Sequence, residues 1–210
     1  MFNNRSEAGR MLADKLGQME MVPGVVLAVP RGGVPVGYEV AKKLNLPLEV
    51  VLVKKLGHPN NKEYAIGAVS LTDVVVFPHE GVQQQYIDSE VQTVRKKLQQ
   101  MQQKFVGILQ PINLKNKTII VIDDGVATGV TLMTTLKILK RLEPAKIIVA
   151  VPVISQTAAQ KISMEADKLV SLLIPQNLRS VGAYYRDFTQ VTDEEVMYYL
   201  QQLKDLKQTG

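Results

Sequence analysis

The stretch Ile119-Ile-Val-Ile-Asp-Asp-Gly-Val-Ala-Thr-Gly-Val-Thr131 is the most informative part of the chain, because it joins an apolar run to a turn of small residues. Residues 119–122 are consecutive and β-branched, which is typical of a strand buried on both faces of a parallel sheet. Leucines then recur at helical spacing, at Leu132, Leu136, Leu139 and Leu142. We therefore predict a strand, a turn and a helix in this order.

The predicted turn carries residues that suit a phosphorylated sugar. Asp123 and Asp124 stand at the carboxyl end of the strand, where carboxylates can accept hydrogen bonds from adjacent ribose hydroxyls and hold a divalent ion, directly or through water. Glycines, which let a ligand approach backbone N–H groups, and threonine hydroxyls follow. These residues are Gly125, Thr128, Gly129 and Thr131. The alternative is a plain strand end that caps a helix.

Basic residues follow two other predicted strands. Arg31-Gly32-Gly33 follows the apolar run 25–29, and it combines a planar guanidinium with two exposed backbone N–H groups. Lys54 and Lys55 end the run 48–53, and because neighbouring residues of a strand face opposite sides, we expect one of them to contact a ligand. An ordinary turn and a pair of solvated lysines are the alternatives at these two places.

Strands and helices alternate along the chain. We predict strands over 25–29, 48–53, 118–123, 146–151 and 168–174, and helices over 4–19, 34–44, 88–105, 131–142 and 155–165. Thr192 and Glu195 have the spacing of a capping box, so a last helix should begin there. The order predicts an α/β fold with a parallel sheet flanked by helices, and with ligands bound beyond the carboxyl ends of the strands.

Composition limits the classes of protein that this chain can represent. With 210 residues and 46% hydrophobic content, we predict a single domain over 1–210. The absence of long apolar runs and of a secretory signal predicts a cytoplasmic protein without a membrane partner. Without cysteine there is no disulfide, thiol nucleophile or thiolate-bound zinc. A net charge of +5 from scattered residues suits a small polyanion better than nucleic acid, and Lys96 and Lys97 are interpreted as a solvated helix face.

The segment 119–131 resembles the fingerprint of type I phosphoribosyltransferases, which bind 5-phosphoribosyl-1-pyrophosphate (PRPP). Gly125 is the one departure, since the family usually has a branched apolar residue there, and it suggests a looser turn. The resemblance implies a Mg²⁺ cofactor near Asp123 and Asp124, which would also hold the ribose. It implies a phosphate cradle made by Ala127, Thr128, Gly129, Val130 and Thr131. It implies a pyrophosphate site made by Arg31, Gly32, Gly33, Lys54 and Lys55, with a cis Pro30–Arg31 peptide.

The segments around this frame resemble an uncharacterised bacterial branch of the family, through Lys54-Lys-Leu-Gly-His-Pro59 and Val181-Gly-Ala-Tyr-Tyr-Arg-Asp-Phe188. The resemblance implies a mobile loop or hairpin near 56–87 that closes over PRPP, and a small hood near 175–190 that recognises the acceptor. In the loop, His58 and Glu63 are weak catalytic candidates. In the hood, Tyr184 and Tyr185 either stack on the acceptor or plug the hood against the core.

The implied activity is Mg²⁺-dependent transfer of the phosphoribosyl group from PRPP to a nitrogenous acceptor, with a nucleobase as the expected acceptor and pyrophosphate as the product. Ala127 stands where enzymes for hypoxanthine, guanine or xanthine carry an Asp, which argues against a standard oxopurine enzyme. The expected partners are PRPP, a small nitrogenous acceptor and, as one option, a second copy in a homodimer. The rival hypothesis is a PRPP-sensing regulatory or binding protein without turnover.

Overall fold

A computed structural model describes residues 1–19, 24–104 and 112–208, without the side chains of Glu63, Lys207 and Gln208. The helices are α1 (Arg5–Gly17), α2 (Gly33–Leu44), α3 (Gln84–Lys104), α4 (Val130–Lys140), α5 (Gln156–Glu165) and α6 (Asp193–Gln208), and a 3-10 turn covers Val181–Tyr184. The strands are β1 (Gly24–Ala28), β2 (Leu48–Val50), β3 (Val53–His58), β4 (Asn61–Ser70), β5 (Val74–Val76), β6 (Thr118–Ile122), β7 (Lys146–Val153) and β8 (Lys168–Leu173). Within these ranges, no helix combines the length and apolarity needed to cross a membrane.

The main sheet has five parallel strands in the order β2-β1-β6-β7-β8, which confirms the predicted fold class. The strand β6 is its centre, with β1 on one side and β7 on the other, and all five residues of β6 are buried. The parallel register places the ends of β1 and β6 together, since Ala28 is paired with Ile122. The segments after these two strands therefore emerge at the same edge of the sheet.

Helices cover both faces of this sheet, and alternate residues of β6 contact the two layers. Ile120 and Ile122 belong to the apolar cluster under α1, α2 and α6, whereas Ile119 and Val121 belong to the cluster under α4 and α5. This alternation is why an unbroken apolar run is needed in the strand. The capping box that we predicted at the start of α6 is also present, because the Thr192 and Glu195 backbone N–H groups donate to each other's side chains at 2.8 and 3.2 Å.

The predicted strand over 48–53 is wrong, because the chain changes sheets in the middle of it. Residues 48–50 pair with β1 as β2, and after Val51 the chain starts a second sheet at Val53, with antiparallel order β3-β4-β5. The segment implied as a mobile loop or hairpin near 56–87 contains β4 and β5 of this second sheet. Lys54 and Lys55 therefore lie on the second sheet, rather than at the end of a core strand.

The helix α3 packs on this second sheet and has its own apolar cluster there. Leu56 and Ile66 of the sheet contact Val94 and Leu98 of the helix, and all four are buried. Phe105, which we placed at the end of this helix from its spacing, lies outside the described residues. The segment predicted as a loop near 56–87 is thus mostly the small sheet and the start of α3.

Candidate active site

The carboxyl edge of the main sheet brings the three predicted basic and acidic segments together. A cavity of about 620 Å³ is bordered by Pro30 after β1, by Lys54 and Lys55 of β3 and by Thr131 of α4. The peptide bond between Pro30 and Arg31 is cis, as predicted. We call this the pyrophosphate-side cavity, since it is lined by Lys54 and Lys55, two of the three basic residues that the sequence assigned to that group.

Gly32 and Asp124 are in direct contact, and this contact joins the loop after β1 to the acidic turn after β6. A Cβ atom at position 32 would lie 2.6 Å from Asp124 Cγ, well inside van der Waals distance. Only a residue without a side chain lets the two segments approach this closely. The requirement for glycine at position 32 is therefore set by a carboxylate 92 positions away in the sequence (124 − 32).

The Asp124 carboxylate is fixed from the other side by Arg5, a residue that the sequence analysis missed. Arg5 Nε donates to Asp124 Oδ2 at 2.8 Å, and both side chains are largely buried, with 10% and 13% of their surface exposed. The guanidinium also donates to the Thr189 carbonyl at 2.8 Å and lies 3.9 Å from the centre of the Phe188 ring. Tyr185 donates from its hydroxyl to the Asp124 carbonyl at 2.6 Å. Asp124 is thus held before any ligand binds.

Asp123 is the neighbouring carboxylate, and it has fewer partners. Its Oδ1 accepts a hydrogen bond from the Asp124 backbone N–H at 2.9 Å. Burial, together with the negative charge of Asp124, raises the pKa of Asp123 well above its usual range. Burial also raises the pKa of Asp124, although Arg5 opposes the shift. A ligand that donates hydrogen bonds to Asp123 would stabilise its charged form. We call Asp123 and Asp124, with Arg5, Tyr185 and Gly32, the acidic corner.

The turn after the acidic pair is tied to the segment that follows β7. Val126 N donates to Val153 O at 2.9 Å, and Ser155 N donates to Val126 O at 2.9 Å. The Ser155 hydroxyl donates to the Ala127 carbonyl at 2.5 Å. Thr128, Val130 and Thr131 remain exposed or partly exposed, and Gly129 has a positive φ of 77°. The cradle is therefore attached to the segment after β7 on one side, and its other side is exposed to solvent.

Packing explains why position 125 is a glycine, and our prediction of a looser turn there is wrong. A Cβ atom at position 125 would lie 3.0 Å from Val153 Cγ1 and would overlap Val181 Cγ1 of the hood. The glycine makes room for a hood residue, and the turn is tightly packed as a result.

Four lysines border the pyrophosphate-side cavity, and we call them the lysine wall. They are Lys54, Lys55, Lys62 and Lys97. Lys62 donates to the Tyr86 hydroxyl at 2.6 Å and pairs with Glu90 at 3.0 Å, and the bond to Tyr86 raises the pKa of Lys62. Lys97 is exposed, as expected for a solvated helix face, but it also lines the cavity. Nothing in the sequence signals this second role, since it depends on how α3 packs on the small sheet.

Arg31 is paired with an acidic residue at the start of α6. Its Nη1 lies 3.6 Å from Asp193 Oδ1, and Asp193 also binds Lys104 at the end of α3. The hydrogen bond from Lys104 lowers the pKa of Asp193, so this carboxylate stays charged. Asp193 thus competes with a phosphate for Arg31.

The remaining predicted site residues either lie in the second sheet or pack in the aromatic cluster beside the acidic corner. His58 is in the hairpin, where its Nδ1 accepts from the Asn60 backbone N–H at 3.2 Å. Glu63 belongs to β4, but its side chain is outside the described part of the chain. Tyr185 packs between Phe2 and Phe188, with ring centres 5.2 and 5.0 Å away, and Tyr184 lies half-buried in the same cluster. Stacking of either tyrosine on an acceptor stays a prediction.

The acidic corner can take part in holding Mg²⁺ only together with a substrate. Among the described residues, no group of three or more His, Asp, Glu or Cys side chains could hold a metal ion. Mg²⁺ commonly binds one or two carboxylates, water and the phosphate oxygens of a substrate. Asp123 fits this arrangement, because the Asp124 backbone N–H occupies one carboxylate oxygen and the other can accept a water or an ion.

The fold and the site together define an α/β protein whose buried central strand ends in two aspartates and a turn of small residues. The model of the phosphoribosyl transferase domain matches residues 3–186, and the chain belongs to this family. A Mycobacterium tuberculosis H37Rv protein described as "Putative phosphoribosyl transferase Rv0571c" is 35% identical over 216 residues. The alignment includes the whole of this chain, which spans about half, 49%, of the length of that relative.

Solved structures share the fold of this chain. The crystal structure of TT1426 from Thermus thermophilus is 37% identical, with a TM-score of 0.89 over 96% of this chain and 98% of that one. A hypothetical protein from Neisseria gonorrhoeae, solved with bound ppGpp, has a TM-score of 0.54 over 99% of this chain and 98% of its own, at 15% identity. That likeness shows the fold alone.

Proposed function

We propose that this chain is a Mg²⁺-dependent phosphoribosyltransferase, which moves the phosphoribosyl group of PRPP to a nitrogenous acceptor, with a nucleobase as the expected acceptor, and releases pyrophosphate. The contact between Gly32 and Asp124 carries the proposal, because it joins the loop with the basic residue to the acidic pair at one edge of the sheet. A sugar held by the acidic corner would place its pyrophosphate toward the lysine wall.

Each part of the site has a role in this reaction. Asp123 and Asp124 would accept hydrogen bonds from the ribose hydroxyls, and the cradle over 127–131 would bind the remaining phosphate. Arg31 and the lysine pair 54–55 would bind pyrophosphate oxygens. The acceptor nitrogen donates its lone pair to the anomeric carbon, the bond from that carbon to oxygen breaks, and its electrons leave with pyrophosphate. The protein contributes position and charge, and bound Mg²⁺ would neutralise negative charge on the leaving group.

Calorimetry with PRPP and Mg²⁺ tests the proposal, with Asp123→Asn as the decisive variant. We expect the variant to lose PRPP affinity by at least about tenfold, since a hydrogen bond to a charged group contributes roughly 1.5–3 kcal/mol. The exposed Asp14→Asn is the matched control, because Asp14 pairs with Lys43 on the surface of α1 and α2. PRPP binding that is equal in the two variants would contradict the ribose role.

The same variant should fold more stably, which separates loss of binding from loss of structure. The pKa of Asp123 is higher in the folded chain than in the unfolded chain, so its charged form opposes folding above that pKa. Stability should therefore rise as the pH falls through the raised pKa, and Asp123→Asn should weaken this dependence and leave the part that comes from Asp124, whose pKa is also raised. Thermal unfolding of both proteins between neutral and mildly acidic pH measures the effect.

A PRPP-sensing protein without turnover is the second candidate function. It is favoured by the pairing of Arg31 with Asp193, which occupies the basic residue of the loop. Labelled PRPP incubated with Mg²⁺ and a panel of acceptors distinguishes the two. Pyrophosphate release that depends on one acceptor supports the enzyme, and tight binding without release supports the sensor.

A further inference from the structure

A second cavity lies beside the phosphate cradle, and its lining includes Lys161 and Arg179, to which no role has been given. It has a volume of about 600 Å³. Ala127 and Thr128 of the turn form one wall, Ser155 and Lys161 of the α5 segment form another, and Arg179 comes from the chain after β8. The cavity is therefore built on β7 and β8, whereas the pyrophosphate-side cavity is built on β1 and the second sheet.

The positive charge of this second cavity is not neutralised by the described part of the protein. Lys161 and Arg179 are both exposed, and neither has a carboxylate partner within the described ranges. None of the described residues that line the cavity is acidic, and the other polar side chains there are amides and hydroxyls. Several other cations near the site are paired, including Arg5 with Asp124 and Lys62 with Glu90. Two such cations that line one cavity favour an anionic ligand.

The position of the cavity suits the nucleophile of the proposed reaction. Displacement at the anomeric carbon brings the acceptor in from the face opposite to the leaving pyrophosphate. The basic residues proposed for pyrophosphate lie toward β1, and the second cavity lies across the β6 turn, toward β8. Ala127, between the two, has a small side chain that adds no negative charge.

We propose that this cavity is the acceptor site and that it selects nitrogenous rings that carry a carboxylate. The inference rests on the proposed function and adds the class of acceptor. Arg179 offers a planar pair of donors that matches a carboxylate, and Lys161 adds a point charge. A neutral base would leave both cations without a partner, so it gains less from the site.

Matched nucleotides that differ in one charge test the inference without requiring turnover. Nicotinate mononucleotide is compared with nicotinamide mononucleotide, and orotidine 5′-monophosphate with uridine 5′-monophosphate, by calorimetry. We expect at least one carboxylate member to bind about tenfold more tightly than its neutral counterpart, since a charged hydrogen bond contributes this much. The corresponding free bases are then compared as acceptors by pyrophosphate release.

Two variants connect the preference to the cavity. Arg179→Gln and Lys161→Gln should each reduce the preference for the carboxylate member to about twofold or less, and should leave PRPP affinity within about twofold of the parent. The exposed Lys168→Gln at the start of β8 is the matched control, since Lys168 does not line the cavity, and it should keep the preference.

The outcomes separate this inference from the proposed function. Two results overturn the inference but not the proposed function. In the first, the protein binds PRPP and shows no carboxylate preference in either pair, and in the second it binds PRPP and none of the nucleotides. A fall in PRPP affinity in the Lys161 and Arg179 variants also overturns it, because the cations would then serve the sugar phosphate. Failure of the parent protein to bind PRPP overturns the proposed function, and the inference with it.

Discussion

The acidic corner and the lysine wall border the same site, but they are built in opposite ways. In the corner, Asp124 is largely buried and is bound by Arg5 and Tyr185, which come from the two ends of the chain. In the wall, the lysines are half-buried or exposed, and they lie on the small second sheet and on α3. The corner therefore has one arrangement, while long side chains in the wall can adapt.

In the proposed reaction, this difference would assign the ribose to the acidic corner and the pyrophosphate to the lysine wall. A ribose needs two hydroxyls placed against fixed acceptors, and a corner that is already ordered loses little entropy on binding. A pyrophosphate changes its charge and position as it leaves, so flexible cations can follow it. Changes to Gly32 and Arg5, which hold Asp124 in place, should therefore cost both stability and affinity, and changes in the wall should cost affinity alone.

The largest effect is expected from Gly32→Ala. The new Cβ would overlap the Asp124 carboxylate, which Arg5 prevents from moving away. We expect PRPP affinity to fall on the order of a hundredfold, equivalent to two lost hydrogen bonds to charged groups. Calorimetry measures the loss. In the control Gly17→Ala the nearest atom would be 3.9 Å away, so affinity should not change. A Gly32→Ala protein with nearly normal affinity would show that the corner is not rigid.

The next effect is expected from Arg5→Met, which leaves a buried carboxylate without its cation. Breaking such a pair costs about 3 kcal/mol of unfolding free energy, and PRPP affinity should fall about tenfold because Asp124 loses its position. Chemical denaturation and calorimetry measure the two losses. Arg10→Met, which breaks an exposed pair with Glu39, should change neither.

A double variant decides whether the loss in Arg5→Met comes from the unpaired charge. Adding Asp124→Asn to Arg5→Met should restore much of the stability and none of the affinity. If the double variant is as unstable as the sum of its parts, the contact of the Arg5 guanidinium with the Phe188 ring is the main contribution instead.

A smaller effect is expected from Lys97→Ala in the lysine wall. The side chain is exposed, so thermal stability should not change, and PRPP affinity should fall about threefold to fivefold at low salt and less at high salt. Lys96→Ala removes the neighbouring lysine, which is exposed on the same helix but does not line the cavity. Equal losses in the two variants would mean that Lys97 acts only through the overall charge.

The smallest effect, and a gain, is expected from Asp193→Asn. Removing this charge releases Arg31 for a phosphate, so PRPP affinity should rise about twofold. Glu194→Gln changes the next residue in the first turn of α6 and should leave affinity unchanged. A loss of affinity in Asp193→Asn would show that Asp193 positions Arg31 rather than competing for it. Calorimetry on the three proteins measures the difference.

Much of the fold could be predicted because the signals for it are local. The buried strand β6, the turn and α4 followed from a run of apolar residues and a repeat of leucines, and the capping box marked the start of α6. The division of the predicted strand 48–53 between two sheets could not be seen, because Val50 and Val53 have identical side chains and only the pairing partners differ.

The residues proposed to contact the substrate could be predicted from the sequence. The residues that hold them in position could not. The acidic pair, Arg31 and the cradle were found from residue type and position. Arg5 and Asp193 were missed, since nothing near them in the sequence marks a charge that pairs across the fold. Our explanation of Gly125 was wrong, because Val181 lies far along the chain and its side chain occupies the space that a Cβ atom at position 125 would need.

The sequence by itself determined the strand that ends in two aspartates and the turn that follows, because hydrophobic period and backbone chemistry act over a few residues. Only the tertiary structure decided which charges meet, since Arg5 and Asp124 are 119 positions apart in the sequence and pair only in the folded chain. Burial makes that pairing necessary, because a carboxylate removed from water needs a cation, and the cation can come from any segment that packs beside it.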